Sequence, residues 1–169
     1  MFCVWLLPSD LDAQHIGDVI SANMSRLKRP VFSPHMTLFD SEKKLNSSCK
    51  EAFSCIVKRI NECIKSALTF RVMPCVYGTA FYKSFFCEIE YHETLRILYE
   101  EIRQLDTKST YQLYPHISLA YGRKDKVLKT IDLKTITFDK IALIVDNNEE
   151  SDAAIRSWKI IDSYKLRGR

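Results

Sequence analysis

The chain has 169 residues, 46% hydrophobic and 27% charged, a balance that can bury one proper interior and does not suit a disordered or fibrous protein. Its net charge of +4 argues against a strongly basic nucleic-acid stripe and permits a small anionic ligand. No apolar run reaches membrane-span length, and the opening MFCVWLLPSDLD lacks a basic leader and a small-residue cleavage site, so a cytoplasmic protein without a signal peptide is expected.

In chain order, the first expected element is a strand over 2–7. A helix follows over about 11–27, with Ser9 and Asp10 as cap candidates and Ile16, Val19, Ile20 and Leu27 as its apolar stripe. A strand over 34–39 comes next, then a helix over about 48–67 with Phe53, Ile56, Ile60, Cys63 and Ile64 on one face. Two strands over 69–81 and 84–91 lead to a third helix over about 93–106, whose stripe is Leu95, Leu98, Ile102 and Leu105. The remainder reads as a strand over 115–121, a short helix or turn near 124–130, and strands near 135–145 and 157–165. No linker or low-complexity block divides the chain, so 1–169 is read as one domain of two α+β lobes.

The six cysteines show neither CxxC nor zinc-ligand spacing, and several fall at apolar positions. Reduced, buried thiols are therefore expected rather than a disulfide framework. The basic RLKR (26–29) and KLRGR and the acidic NNEESD (147–152) read as solvated surface.

The chemistry lies in a repeated phrase. SPHMTLF (33–39) and YPHISLAYG (114–122) both contain Pro-His, one apolar residue, a hydroxyl residue and Leu. Strand alternation puts His35 and Thr37 on one face, and His116 and Ser118 on another. By the same parity Phe39 continues the first face, where it borders a pocket or is buried between the lobes. Two imidazoles suit a reaction that needs a base and an acid near neutrality, and two hydroxyls can donate to the oxygens of a phosphate. No Walker loop, HExxH helix or carboxylate cage is present, so phosphodiester chemistry with no metal and no cofactor is the natural fit. His15 and His92 lack the pattern and read as surface-helix or helix-start residues.

PHMTL and PHISL resemble the signature of the two-histidine (2H) phosphoesterase superfamily. The likeness extends to its cyclic phosphodiesterase family of plants and yeasts: VWLLP (4–8) resembles the opening strand, GTAFYKSFFCEIE (78–90) an aromatic-rich hairpin, and KIALIVDNNEESDAAIRSWKIID (140–162) the closing strands. The resemblance implies a bilobal α+β fold, two antiparallel sheets with outer helices around a central cleft carrying the two HxT/S motifs. It also implies hydrolysis of ribose cyclic phosphates: nucleoside 2′,3′-cyclic phosphates to 2′-phosphates, and ADP-ribose 1″,2″-cyclic phosphate.

By position, His35 and His116 would be the acid–base pair, Thr37 and Ser118 the phosphate holders, and Trp5, Tyr82 and Tyr121 the pocket aromatics. Tyr82 stands where the family has phenylalanine. Tyr121 has the wrong strand parity and reaches the site only if the strand twists or ends near Ala120. Thr79 is a further binding candidate, or simply a turn residue after Gly78. Two alternatives stay open: cleavage of linear 2′,5′-oligoadenylates or RNA ends, and a binding module without turnover. The expected partner is a small nucleotide cyclic phosphate, with RNA ends as the alternative, bound by a monomer away from membranes.

Overall fold

The computed structural model describes residues 1–64, 68–122, 127–146 and 149–166. Within them the elements are β1 (Phe2–Pro8), α1 (Asp10–Leu27), β2 (Met36–Ser41), α2 (Ser47–Cys63), β3 (Leu68–Tyr77), a 3-10 turn (Phe81–Lys83), β4 (Phe85–Ile89), α3 (Glu93–Arg103), β5 (His116–Ala120), β6 (Thr135–Val145), α4 (Asp152–Ser157) and β7 (Lys159–Lys165).

The helices start where local chemistry satisfies their first amides. Ser9 Oγ accepts from the Asp12 amide, Asn46 Oδ1 from the Cys49 amide, and the His92 ring nitrogen from the Thr94 amide. The last of these accounts for His92. Helix α4 is absent from the sequence-based expectation. Its signal was local, a Ser151 cap and Asp152 in the first turn, but six residues are too few to show periodicity. The turn expected near 124–130 falls partly on 123–126, outside the described residues, and 127–130 form neither helix nor strand.

Strand β1 is buried on both faces as a nearly unbroken apolar run, and β6 becomes one over residues 141–145, after a mixed first half that includes Asp139 and Lys140. Phe2, Val4 and Leu6 enter the main core, while Cys3 and Trp5 lie on the other face with Ala142 and Ile144. Helix α1 buries Ile16, Ile20 and Met24, each worth about 2 kcal/mol of transfer free energy. Asn23 interrupts that stripe and is 1% exposed. Its amide donates to the Leu119 and Lys129 carbonyls, and its Oδ1 accepts from the Lys129 amide, so the buried polar group is satisfied.

The sheet order is β2-β1-β6-β3-β4-β5, with β7 also on β6, and every pairing is antiparallel. The α+β expectation holds, but the two expected sheets are one continuous sheet. Residues Leu68–Arg71 of β3 pair with β6, and Val72–Tyr77 pair with β4. Between Val72 and Cys75 the register slips by one residue, where Pro74 offers no ladder donor. The sheet curls so that its two ends, β2 and β5, approach each other. Tyr111 Oη donates to the Thr37 carbonyl across that approach at 3.1 Å. The second motif's histidine opens β5, and the first motif runs into β2 from the residue just before it.

The cysteine expectation is corrected. Cys75 and Cys87 form a disulfide, being directly opposed across the β3–β4 pair, a proximity that sequence spacing does not reveal. Cys3 and Cys49 are buried free thiols, whereas Cys55 and Cys63 are exposed. No helix among the described residues is long and apolar enough to cross a membrane.

Candidate active site

Each motif sets its histidine in the same way. Proline confines the preceding residue to extended backbone, which aims that residue's carbonyl back at the imidazole. His35 Nδ1 donates to the Ser33 carbonyl at 2.7 Å, and His116 Nδ1 donates to the Tyr114 carbonyl at 2.7 Å. A carbonyl can only accept, so Nδ1 carries the proton in both neutral rings and the lone pair is left on Nε2. His35 itself precedes β2, which begins at Met36.

The leucine closing each motif is the extra residue of a β-bulge. On β2 the partners run Val4↔Phe39 then Trp5↔Thr37, leaving Leu38 unopposed. On β5 they run Phe85↔Ala120 then Phe86↔Ser118, leaving Leu119 unopposed. A bulge shifts alternation by one residue. The face that carries Thr37 therefore continues through Asp40, and the face that carries Ser118 continues through Tyr121. This is how Tyr121 reaches the cleft despite its parity. Phe39 is turned the other way and fully buried, in ring contact with Phe2, Tyr99 and Tyr111.

A cleft of about 210 Å³ is lined by both histidines, Thr37, Ser118, Trp5, Tyr82 and Tyr121. Thr79 is not among its lining residues; it lies exposed in a bend after Gly78. The sequence reading missed Trp158, Lys83, Asp40, Asp146 and Tyr111, which line the same cleft. Trp158 had one visible signal, as the chain holds only two tryptophans. Its indole donates to Asp146 Oδ1 at 3.0 Å and meets Trp5 edge-on at 5.2 Å.

His35 is stacked on Trp5 with ring centroids 3.7 Å apart, and Tyr121 Oη donates to His35 Nε2 at 3.4 Å. Phe32 backs Tyr121 in a stack at 3.9 Å. Ser118 Oγ donates to the Tyr82 carbonyl at 2.8 Å, and Tyr82 Oη donates to the Glu149 carbonyl.

Burial pushes the His35 imidazole down to about 4; the Ser33 carbonyl opposes this and the charge of His116 adds to it. Burial also lowers His116, with Lys83 pushing the same way and the Tyr114 carbonyl and Glu88 opposing. Burial raises the Tyr121 phenol, which stays a protonated donor, and raises Tyr82 to about 12. Asp40 is raised by burial and then by Asp146. Among the described residues no cluster of His, Cys, Asp or Glu is placed to hold a metal ion.

A family model for cyclic phosphodiesterase-like proteins matches residues 1–167. The chain belongs to the cyclic phosphodiesterase-like family. This bears out the coarser expectation, a phosphoesterase of the two-histidine superfamily. No curated protein matches the chain. Among solved structures, TT0787 of Thermus thermophilus is 13% identical over 99% of this chain and 98% of its own, with a TM-score of 0.69. Escherichia coli LigT in its apo form is 14% identical over 98% of this chain and 96% of its own, also at 0.69. LigT complexed with 3′-AMP is 16% identical over the same shares, at 0.66. At these identities the likeness is one of fold.

Proposed function

We propose that the protein hydrolyses ribose cyclic phosphates by paired-histidine acid–base catalysis, as in the plant and yeast enzymes its motifs resemble. The substrates would be nucleoside 2′,3′-cyclic phosphates, opened to 2′-phosphates, and ADP-ribose 1″,2″-cyclic phosphate. The reading includes a monomeric cytoplasmic protein that needs no cofactor. One observation carries it: two imidazoles with identical Nδ1-to-carbonyl locks share a small cleft with Thr37 and Ser118.

In this mechanism neutral His35 accepts a proton from water through Nε2 as the water oxygen bonds to phosphorus. The depressed basicity of His35 keeps that nitrogen free at neutral pH. His116, less buried and beside Glu88, delivers its Nε2 proton to the ribose oxygen as the phosphorus–oxygen bond breaks. Thr37 and Ser118 donate to the non-bridging oxygens, for which the Ser118 hydroxyl must swing away from the Tyr82 carbonyl. The Tyr121 hydroxyl, which donates to the same His35 Nε2, must likewise give up that lone pair to the water.

His35→Ala and His116→Ala should each lower turnover of a 2′,3′-cyclic mononucleotide by about 10²–10⁴-fold, with the circular dichroism unchanged. Full activity in either variant would remove the assignment, and a wild-type protein that binds without forming product would make it a binding module. EDTA should leave the rate unchanged.

A second reading has a specific observation behind it. An open groove of about 730 Å³ adjoins the cleft through Asp40 and Tyr111, space that a linear 2′,5′-oligoadenylate or an RNA end could use. Comparing turnover of a cyclic mononucleotide, ADP-ribose cyclic phosphate and 2′,5′-oligoadenylate decides between them.

A further inference from the structure

Lys83 ends the 3-10 turn that lies against β5, and the surrounding backbone fixes it from several sides. The Ser118 hydroxyl donates to the Tyr82 carbonyl, the Gly122 amide donates to the Phe81 carbonyl at 3.0 Å, and the buried Ser84 hydroxyl donates to the Ala120 carbonyl at 2.8 Å. Gly78 closes the other side: a Cβ there would stand 2.1 Å from the Lys83 carbonyl oxygen, so the backbone can pack this closely only against glycine. The turn is thus bound directly to the residues of the second motif.

The Lys83 side chain is half-buried and its ammonium lies 4.8 Å from the centre of the Tyr114 ring. That ring is next to the His116 ring, with centroids 5.5 Å apart. Among the described residues no carboxylate forms an ion pair with Lys83. A full positive charge resting on an aromatic face beside His116 still has hydrogen-bond donors to give. Asp40 and Asp146 also line the cleft, so an anion entering it is repelled by two carboxylates and attracted by Lys83. Glu88, opposite His116 on β4 and accepting from the Tyr114 hydroxyl, is outside the lining, so among the charges that line the cleft the positive one lies on the His116 side.

We propose that the Lys83 ammonium binds the non-bridging oxygens of the substrate phosphate and, with Asp40 and Asp146 repelling the anion, sets which way the phosphate sits. This rests on the phosphoester reading above, and it supplies charge neutralisation that the two neutral hydroxyls of Thr37 and Ser118 do not. Its influence on His116 agrees, because the same positive charge opposes protonation of that imidazole.

Binding is measured separately from turnover by titrating the protein with inorganic phosphate and following the His116 ring proton by NMR. Lys83→Met should weaken phosphate binding by about 10-fold, whereas Lys83→Arg should stay close to wild type. On a 2′,3′-cyclic mononucleotide, kcat/KM of Lys83→Met should fall by about 10²-fold, and the alkaline limb of its pH profile should move to higher pH, a shift that a merely structural role would not produce. Wild-type phosphate affinity in Lys83→Met, or no phosphate binding by the wild-type protein, overturns the proposal. If phosphate binds through Lys83 yet no cyclic phosphate is hydrolysed, the catalytic reading falls while the Lys83 site stands.

Discussion

The His35 imidazole lies flat on the Trp5 indole, with ring centroids 3.7 Å apart and planes 10° from parallel. With Phe32 and Trp158 edge-on at 6.2 and 5.7 Å, the indole makes a dry seat that favours the neutral imidazole, the form the proposed mechanism uses. Trp5→Leu should open that seat to water, and the His35 pKa should climb from about 4 toward the ordinary 6.5, as read from the ring-proton NMR shift against pH. A pKa unchanged by the substitution would mean that Trp5 does not keep His35 dry.

The rate profile follows from the two imidazoles. In kcat/KM the acid limb should fall near pH 4, where His35 takes up a proton, and the alkaline limb below 6.5, where His116 loses its own. A bound phosphate anion favours both imidazolium forms, so both limbs should move to higher pH in kcat. Steady-state profiles of both parameters on one cyclic nucleotide check this, and coincident limbs would contradict it.

Stability should also depend on His35. Its folded pKa of about 4 lies below the unfolded 6.5, so as pH falls through that window the unfolded chain takes a proton that the folded chain refuses. Stability should therefore be complete above pH 6.5 and drop by up to about 3 kcal/mol by pH 4. Asp40, with its raised carboxyl, works in the opposite direction. Urea unfolding of wild type and His35→Asn at pH 7 and pH 4.5 isolates the histidine, and the variant should show the smaller loss.

Asn23→Ala removes the amide that serves Leu119 and Lys129, taking a partner from the buried Leu119 carbonyl and from the part-buried Lys129 backbone. A loss of about 1–3 kcal/mol in urea unfolding is expected, with kcat nearly unchanged because Asn23 lies outside the cleft lining.

Gly122→Ala tests the turn after Tyr121. Gly122 has φ +56°, and an added Cβ would stand 2.6 Å from the Arg29 guanidinium carbon, which Asp152 holds at 2.7 Å through Nη1. Strain of about 1–2 kcal/mol is expected, together with a lower kcat as Tyr121 shifts against His35; stability and activity equal to wild type would show that the turn is not constrained.

Much of the site was legible because its information is local. Thr37 and Ser118 lie two residues beyond their histidines, so the repeated phrase already describes a shared strand face, whereas the locks that Pro34 and Pro115 set through the carbonyls just before them became visible only in the ring hydrogen bonds. The strands and three long helices followed from period and caps for the same reason. What the sequence hid was everything set by a partner strand or a distant turn. Phe39 is buried, one of its two expected fates, but on the opposite face; that reversal and the parity puzzle of Tyr121 have one cause, the bulges at Leu38 and Leu119.

Taken alone, the sequence determined which residues the proposed chemistry would draw on: two histidines and two hydroxyls behind two prolines in one repeated order, with strand alternation setting a common face for each pair. Only the tertiary structure decided how they meet. The curl of the sheet brings β2 and β5 together, the bulges turn Asp40 and Tyr121 toward the cleft, and the Cys75–Cys87 pair, Trp158 and Lys83 take places fixed by neighbours remote in the chain. The physical reason is that alternation belongs to a single strand, whereas register, burial and electrostatic environment are properties of the packed assembly of strands.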